Sequence, residues 1–346
     1  MTLARAAARR SERADGADGW RAHRRRLLLA TSACLAPTLT FAQPAARTRV
    51  VGVLGNVHPD DPGDPFRLFV AALVELGWVE GRTVTFVYRG ADQPYERFPE
   101  LARELVRLGV DLIVVTAGVT AALAAKAATA TIPILAIGVA DPVKFGLVAS
   151  LAHPGGNVTG FASTSTDWGK YLELTHEAVP GASRVAIIAN PGNVGYADYA
   201  AANETAARQL GLRLQLLPVA QPGDLAAAFE AMRRERAEAL VFGPDRVFLA
   251  SIREIVERAQ AQALPVIAPV RSAAQAGALI SYGLDGRAML RLAASYADRL
   301  LKGTKPADLP IEQPTRFELV VNLKAANTLG LKVPSSLRLR ADEVIE

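Results

Sequence analysis

From Arg49 onward the apolar positions of the chain switch between two periods. "RVVGVLGN" (49–56) is a short β-branched run stopped by a turn residue, the pattern of a strand buried on both faces. "FRLFVAALVELG" (66–77) has helical spacing and closes on Gly77. A strand over 83–89, a helix over 98–109, a strand over 111–118, a helix over 120–129 and a strand over 132–139 follow. Strand and helix alternating at short spacing predict βαβ units around a parallel sheet.

The second half repeats the first. "SRVAIIAN" (183–190) answers "TRVVGVLGN" (48–56), and 210–245 answers 76–118 with a few residues inserted in one copy. In both, a Leu-Gly helix end leads to a strand, a polar loop, an amphipathic helix and a strand ending in small or polar residues. Two copies of one open α/β unit predict two similar Rossmann-like lobes. The Gly, Ser and Thr-rich stretch from about Val158 to Thr166 suits a hinge crossing between them. Open α/β sheets bind ligands beyond the carboxyl ends of their strands. Those ends are Asn56, Thr116–Gly118, Ala140–Asp141, Asn190–Asn193, Gly243–Asp245 and Ala268–Arg271. Their composition suits a small-molecule cleft.

The sequence pI near 9.5 raises the question of nucleic acid. Residues 1–42 hold eight Arg against three acidic residues, and the remaining chain balances at 31 basic and 31 acidic. The body therefore has no electrostatic footprint for nucleic acid. The basic segment itself reads as an export signal: a basic start, an apolar stretch from Leu27 to about Phe41, and small residues before a cut after Ala42. That stretch is short for a bilayer span and contains Pro37, which argues against a permanent anchor. Arg24-Arg25-Arg26 before two Leu resembles a twin-arginine signal and also suits the general pathway. The one cysteine, Cys34, lies inside the signal, and Thr31 stands where lipid attachment wants an aliphatic residue. Cleavage would leave a mature periplasmic chain without disulfide or thiolate chemistry.

Catalytic constellations are absent from the pattern. His23 lies in the signal, and His58, His153 and His176 are scattered with no metal-ligand spacing. Neither GxGxxG nor a P-loop follows any strand, and no GxSxG elbow occurs. The Gly-rich "HPGGNVTG" (153–160) follows a helix and precedes a strand, the wrong order for cradling phosphate. The expectation is a binding protein with no catalytic residues, cofactor or metal.

Four stretches carry a family resemblance: "GLVASLAHPGGNVTG" (146–160), "SYG" (281–283), "LLKGTKPADLPIEQPTRFELVVNLKAANTLGL" (300–331) and "LRADEVIE" (339–346). Together they resemble the substrate-binding components of a group of bacterial ABC transporters with the type I periplasmic-binding fold, a group that includes tryptophan- and other aromatic-amino-acid-binding members. The resemblance covers essentially 48–346. It implies a monomeric exported receptor that closes on a small organic solute and hands it to an inner-membrane permease. It also implies three passages between lobes, placing 43–162 plus 282–312 in lobe one and 163–281 plus 313–346 in lobe two, after a signal over 1–42. "NVHPDDPGDPF" (56–66), rich in Pro and Asp, departs from the group's usual pattern where the chain would line the cleft. A sensor subunit reporting solute to a signalling protein and a small-metabolite enzyme are the rival readings.

The candidate ligand contacts each have a plainer role. Asp141, ahead of Pro142, is a helix N-cap or a cleft carboxylate. Thr116, Gly118 and Thr120 sit where a strand passes into a helix whose N–H groups suit a carboxylate, unless Thr120 merely caps it. Asn190, Asn193 and Tyr196 belong to the matching turn of lobe two, where Asn also serves ordinary turns. Asp245 ends the strand matching Thr116. Arg271 is expected to take a ligand carboxylate or pair with an acid such as Asp245. Asn56 ends the first strand, and Phe66 either stacks on an aromatic solute or fills the core. Trp78 and Trp168 read as structural, and "MRRERAE" (232–238) as a solvated helix face.

Overall fold

The computed structural model describes residues 47–55, 57–60, 64–90, 94–163, 169–313 and 316–346. The export segment with Cys34, the cleft candidate Asn56, Trp168 and the end of the expected hinge lie outside them. Among the described residues no helix is long and apolar enough to cross a membrane.

Strands β1 (Arg49–Leu54), β2 (Val84–Arg89), β3 (Leu112–Val115), β4 (Ile134–Ala140) and β5 (Val158–Ser163) form a five-stranded sheet in the order β2-β1-β3-β4-β5. Its pairings are all parallel. Alternation along β3 shows why the run is apolar throughout. Leu112 and Val114 face α1 (Phe66–Glu75) and α10 (Gly286–Leu301), while Ile113 and Val115 face α2 (Phe98–Arg107) and α3 (Gly118–Ala128). All four side chains are buried, each worth about 1.5–3 kcal/mol. Helix α10 comes from far down the chain, and Trp78 ties it to the end of α1 by donating from Nε1 to Asp298 at 2.9 Å.

The second sheet has seven strands: β6 (Arg184–Ala189), β7 (Arg213–Pro218), β8 (Ala239–Phe242), β9 (Val266–Ala268), β10 (Ile280–Leu284), β11 (Phe317–Asn322) and β12 (Glu343–Ile345). Their order is β12-β11-β10-β9-β8-β6-β7, and only β10–β11 is antiparallel. One face packs on α4 (Gly169–Ala178), α5 (Tyr196–Gln209), α11 (Leu323–Thr328) and α12 (Ser335–Arg340). The other packs on α6 (Leu225–Glu235), α7 (Arg246–Ala250), α8 (Ile252–Ala261) and α9 (Arg271–Ala276). The orders β2-β1-β3-β4-β5 and β7-β6-β8-β9-β10 repeat one topology, and β11 and β12 extend the second copy.

A matching staple closes each lobe at the amino ends of its strands. Asp111, just before β3, accepts from Val50 N at 2.8 Å and Arg49 Nη1 at 2.9 Å. Glu238, just before β8, accepts from Ser183 N at 2.6 Å, Arg184 N at 2.9 Å and the Arg184 guanidinium. Partial burial pushes the Asp111 carboxyl up, but Val50 N–H and the two arginines outweigh it and hold the group below its ordinary range. The Ser183 N–H leads the interactions that lower Glu238.

Two boundaries differ from expectation. Residues 158–163, expected to begin the hinge, are the buried edge strand β5, because Thr159, Gly160 and Phe161 pair with β4. Residues 282–284, expected in lobe one, finish β10 in the second sheet, held there by antiparallel pairing with β11. Two motif glycines are steric requirements. A Cβ on Gly160 would lie 1.9 Å from the Ala136 carbonyl oxygen, and one on Gly283 would lie 1.8 Å from that of Pro269.

Candidate functional site

On the lobe-one side, β3 gives way to Thr116, Ala117 and α3. Gly118 opens that helix at φ 73°, with open space where a Cβ would project. No side chain caps the helix start, so its first-turn N–H groups and the positive end of its dipole are left for other partners. Beside them, the Thr116 hydroxyl is buried with no hydrogen-bond partner. It presses against the end of β1, where a Cβ on Gly55 would come within 2.0 Å of it. Thr120 does not cap its own helix. Its hydroxyl faces lobe two and accepts from Val194 N at 3.4 Å.

The lobe-two side is organised around Asp245, which is only 7% exposed. One carboxylate oxygen accepts from Asn190 Nδ2 and Val247 N, each at 3.0 Å. The other accepts from Asn193 Nδ2 at 3.0 Å and, across the lobe boundary, from the Tyr95 hydroxyl at 2.9 Å. Asn190 and Asn193 are set by their own turn, accepting from Gly192 N and Gly195 N, each at 2.9 Å. Burial and the Asp245 carboxylate push the Tyr95 phenol well above its ordinary range, so it stays a donor. The Arg246 guanidinium lies 5.0 Å from the Tyr95 ring centre and 5.7 Å from that of Phe98.

The structure brings Thr116, Gly118, Thr120, Asn190, Asn193 and Asp245 to the facing strand ends and gives Asp141, Arg271, Phe66 and Tyr196 other partners. No helix follows Asp141. It occupies a left-handed conformation at φ 33° and closes a turn by accepting from Lys144 N at 3.1 Å. Pro142 turns the chain back, its carbonyl accepting from Leu147 N at 2.8 Å. The same turn presents Lys144, whose ammonium reaches Asp198 of lobe two at 2.6 Å. Arg271 does not pair with Asp245. It is held between Glu318 of β11 and Glu343 of β12, the added strands that the repeat in the sequence does not contain. Phe66 is core: its ring packs at 4.8 Å from Phe69 and 6.5 Å from Phe86, leaving no face for a solute. Tyr196 opens α5 and packs against the lobe-two core.

A cavity of about 500 Å³ opens at the carboxyl ends of β1 and β2, lined among others by Val57, His58, Tyr88, Arg89, Arg97 and Leu101. Asp64 shapes the loop beside it, accepting from His58 N at 2.6 Å and Phe66 N at 2.8 Å. Within the Pro- and Asp-rich departure, Asp64 thereby ties His58 to the start of α1. Burial, with Glu80 and Asp64 nearby, pushes the Tyr88 phenol up to about 12. Among the described residues no group of three or more His, Asp or Glu side chains converges as metal ligands. What the arrangement does chemically is offer fixed donors and acceptors to a small polar molecule.

Tyr95 and Arg246 are the residues the sequence reading missed. The end of β2 is not among the six strand ends that the sequence pattern offers, although the same rule applied there leads through Gly90 to "PYERF" (94–98).

Comparison with known proteins is consistent along the body of the chain. Residues 66–345 match the family described as ABC transporter substrate binding protein. A tyrosine-binding protein of Clostridioides difficile is 27% identical over 285 residues, covering 80% of each chain. A conserved domain protein from Vibrio cholerae O1 biovar El Tor superposes with a TM-score of 0.76 at 26% identity, covering 86% of this chain and 99% of its own. An ABC domain from Streptococcus pneumoniae in complex with L-Trp superposes at 0.75 with 23% identity, covering 86% of this chain and all of its own.

Proposed function

The chain belongs to the ABC transporter substrate binding protein family, whose members bind solutes and are not enzymes, and we propose that it is the exported receptor of an uptake system for a small organic acid such as an amino acid or aromatic compound. The observation that carries this reading is the buried, partnerless Thr116 hydroxyl beside the uncapped start of α3. A buried polar group without a partner costs about 1–3 kcal/mol, and a solute carboxylate accepting from Thr116 and the α3 N–H groups removes that cost. Lobe one also carries a cavity of about 500 Å³ at the ends of β1 and β2, in the range that holds an amino-acid-sized molecule, although its lining does not include Thr116 or α3. The names of the tyrosine-binding and L-Trp-complexed relatives favour an aromatic amino acid.

The mechanism is hinge closure. A solute that touches both lobes adds its binding energy to the closed state, and the permease recognises that state. Micromolar affinity needs about −8 kcal/mol, within reach of a few charge-assisted hydrogen bonds and the burial of an apolar side chain. The signal over residues 1–42 delivers the mature chain, as a monomer, to the periplasm.

A thermal-shift screen of the chain from Gln43 against amino acids, aromatic acids, purines and sugars tests the reading. A carboxylate-bearing solute is expected to raise the melting temperature in proportion to the logarithm of its concentration. A shift from sugars or purines with none from any carboxylate overturns the carboxylate assignment. No shift from any member of the screen counts against the receptor.

A further inference from the structure

The cleft is spanned by the chain's own side chains. Tyr95 of lobe one donates to Asp245 of lobe two at 2.9 Å, and both residues are 7% exposed. A water-filled cleft would leave this pair solvated; here it is closed in by Asn193, whose amide lies 3.5 Å from the Tyr95 oxygen, and by Arg246 over the ring. Gly192 packs directly against Tyr95, where a Cβ would lie 3.4 Å from the ring. Two weaker bridges flank the pair: Val194 N to Thr120 Oγ1 at 3.4 Å, and the exposed Lys144–Asp198 ion pair.

A carboxylate has about four acceptor positions. Those of Asp245 are filled by Asn190, Val247, Asn193 and Tyr95, all from the chain itself. Three of the four come from lobe two, so the seat is assembled before the lobes meet. The fourth place is the one that lobe closure fills.

We infer that Tyr95 is the closing residue of this protein: its hydroxyl takes the last acceptor position of a preformed Asp245 seat and holds the lobes together without solute. Asp245 then has no acceptor left for a solute ammonium, and the charge of the solute is recognised at the lobe-one strand ends while its remainder meets lobe two elsewhere. This last consequence rests on the receptor reading; the clasp does not.

The test uses the solute-free full-length chain in a Cys34→Ser background, with spin labels on cysteines introduced at exposed Leu108 of lobe one and Leu339 of lobe two. Pulsed electron–electron distances report how far the lobes open. The parent chain is expected to show the closed distance as its main population. Tyr95→Phe, which keeps the ring on Phe98 and removes only the donor, is expected to move most of the population to a longer, broader distance with circular dichroism unchanged. Lys144→Ala, which removes only the exposed bridge, is expected to stay near the parent distribution. An open parent chain, a Tyr95→Phe distribution equal to the parent's, or a Lys144→Ala shift as large as that of Tyr95→Phe each overturns the inference. None of these readouts involves solute, so a failed clasp leaves the receptor reading standing, and a failed solute screen leaves the clasp.

Discussion

At the carboxyl end of β3, lobe one leaves the Thr116 hydroxyl buried without a partner, whereas at the matching end of β8 lobe two surrounds the Asp245 carboxylate with four donors. At the opposite ends of the same strands the lobes agree. Asp111 staples β1 to β3 as Glu238 staples β6 to β8, each accepting from backbone N–H at the start of the central strand. Repeated structure at one end and divergence at the other separates what holds a lobe together from what the cleft needs. A satisfied carboxylate is compatible with a purely structural role. An unsatisfied hydroxyl at an uncapped helix start is a standing cost, and it makes sense where something else supplies the partner.

The largest effect expected from breaking this comparison is steric and common to both lobes. Gly160→Ala and Gly283→Ala drive a methyl into a backbone carbonyl of the neighbouring strand or loop and should each destabilise by about 3 kcal/mol or more in urea unfolding. A cost under about 1 kcal/mol at either site would show that the strands part easily there. Asp245→Ala comes next. It removes a helix cap and strands the donors of Asn190, Asn193 and Tyr95, with an expected loss of about 3 kcal/mol, read in the same assay.

Thr116→Val sharpens the contrast. Because the hydroxyl has no partner in the protein, the isosteric change should leave unfolding stability unchanged or slightly improved. Solute affinity measured by calorimetry should fall about tenfold, the 1.4 kcal/mol expected for one good hydrogen bond. A stability loss comparable to that of Asp245→Ala would make the two strand ends alike after all. The smallest effect concerns the shared staples. Asp111 and Glu238 have folded-state pKa values below their ordinary values of 3.8 and 4.5. Their stabilisation is therefore fully present above those ordinary values and is lost as pH falls below them through the lowered folded values. Asp111→Asn and Glu238→Gln should each flatten the fall in melting temperature on the acid side, to a similar degree in the two lobes.

Much of the fold was legible in the sequence because parallel strands buried on both faces must be apolar throughout. Runs such as "DLIVV" and "EALVF" announce themselves, and the repeat of their spacing predicts a repeat of topology. The edge strand β5 was harder: "NVTGFAS" carries Thr, Gly and Ser for close pairing with β4, and the same composition reads as a hinge. The site was legible where one strand end and its own turn make it. Asn190, Asn193 and Asp245 converge as the strand-end rule expects, because β6 and β8 are adjacent and parallel.

What the sequence by itself determined is the alternation of elements, their repetition and the identity of the strand ends, since each depends on residues a few positions apart. Tertiary structure decided the partners. Tyr95 meets Asp245 across 150 positions and a lobe boundary. Arg271 turns to Glu318 and Glu343 because β11 and β12 extend the second sheet beyond the repeat. Asp141 closes a turn instead of capping a helix, because Pro142 is folded back onto Leu147. Local patterns record the period and burial of an element; which charged or polar groups finally meet depends on how the elements are stacked, and that is settled by packing across the whole chain.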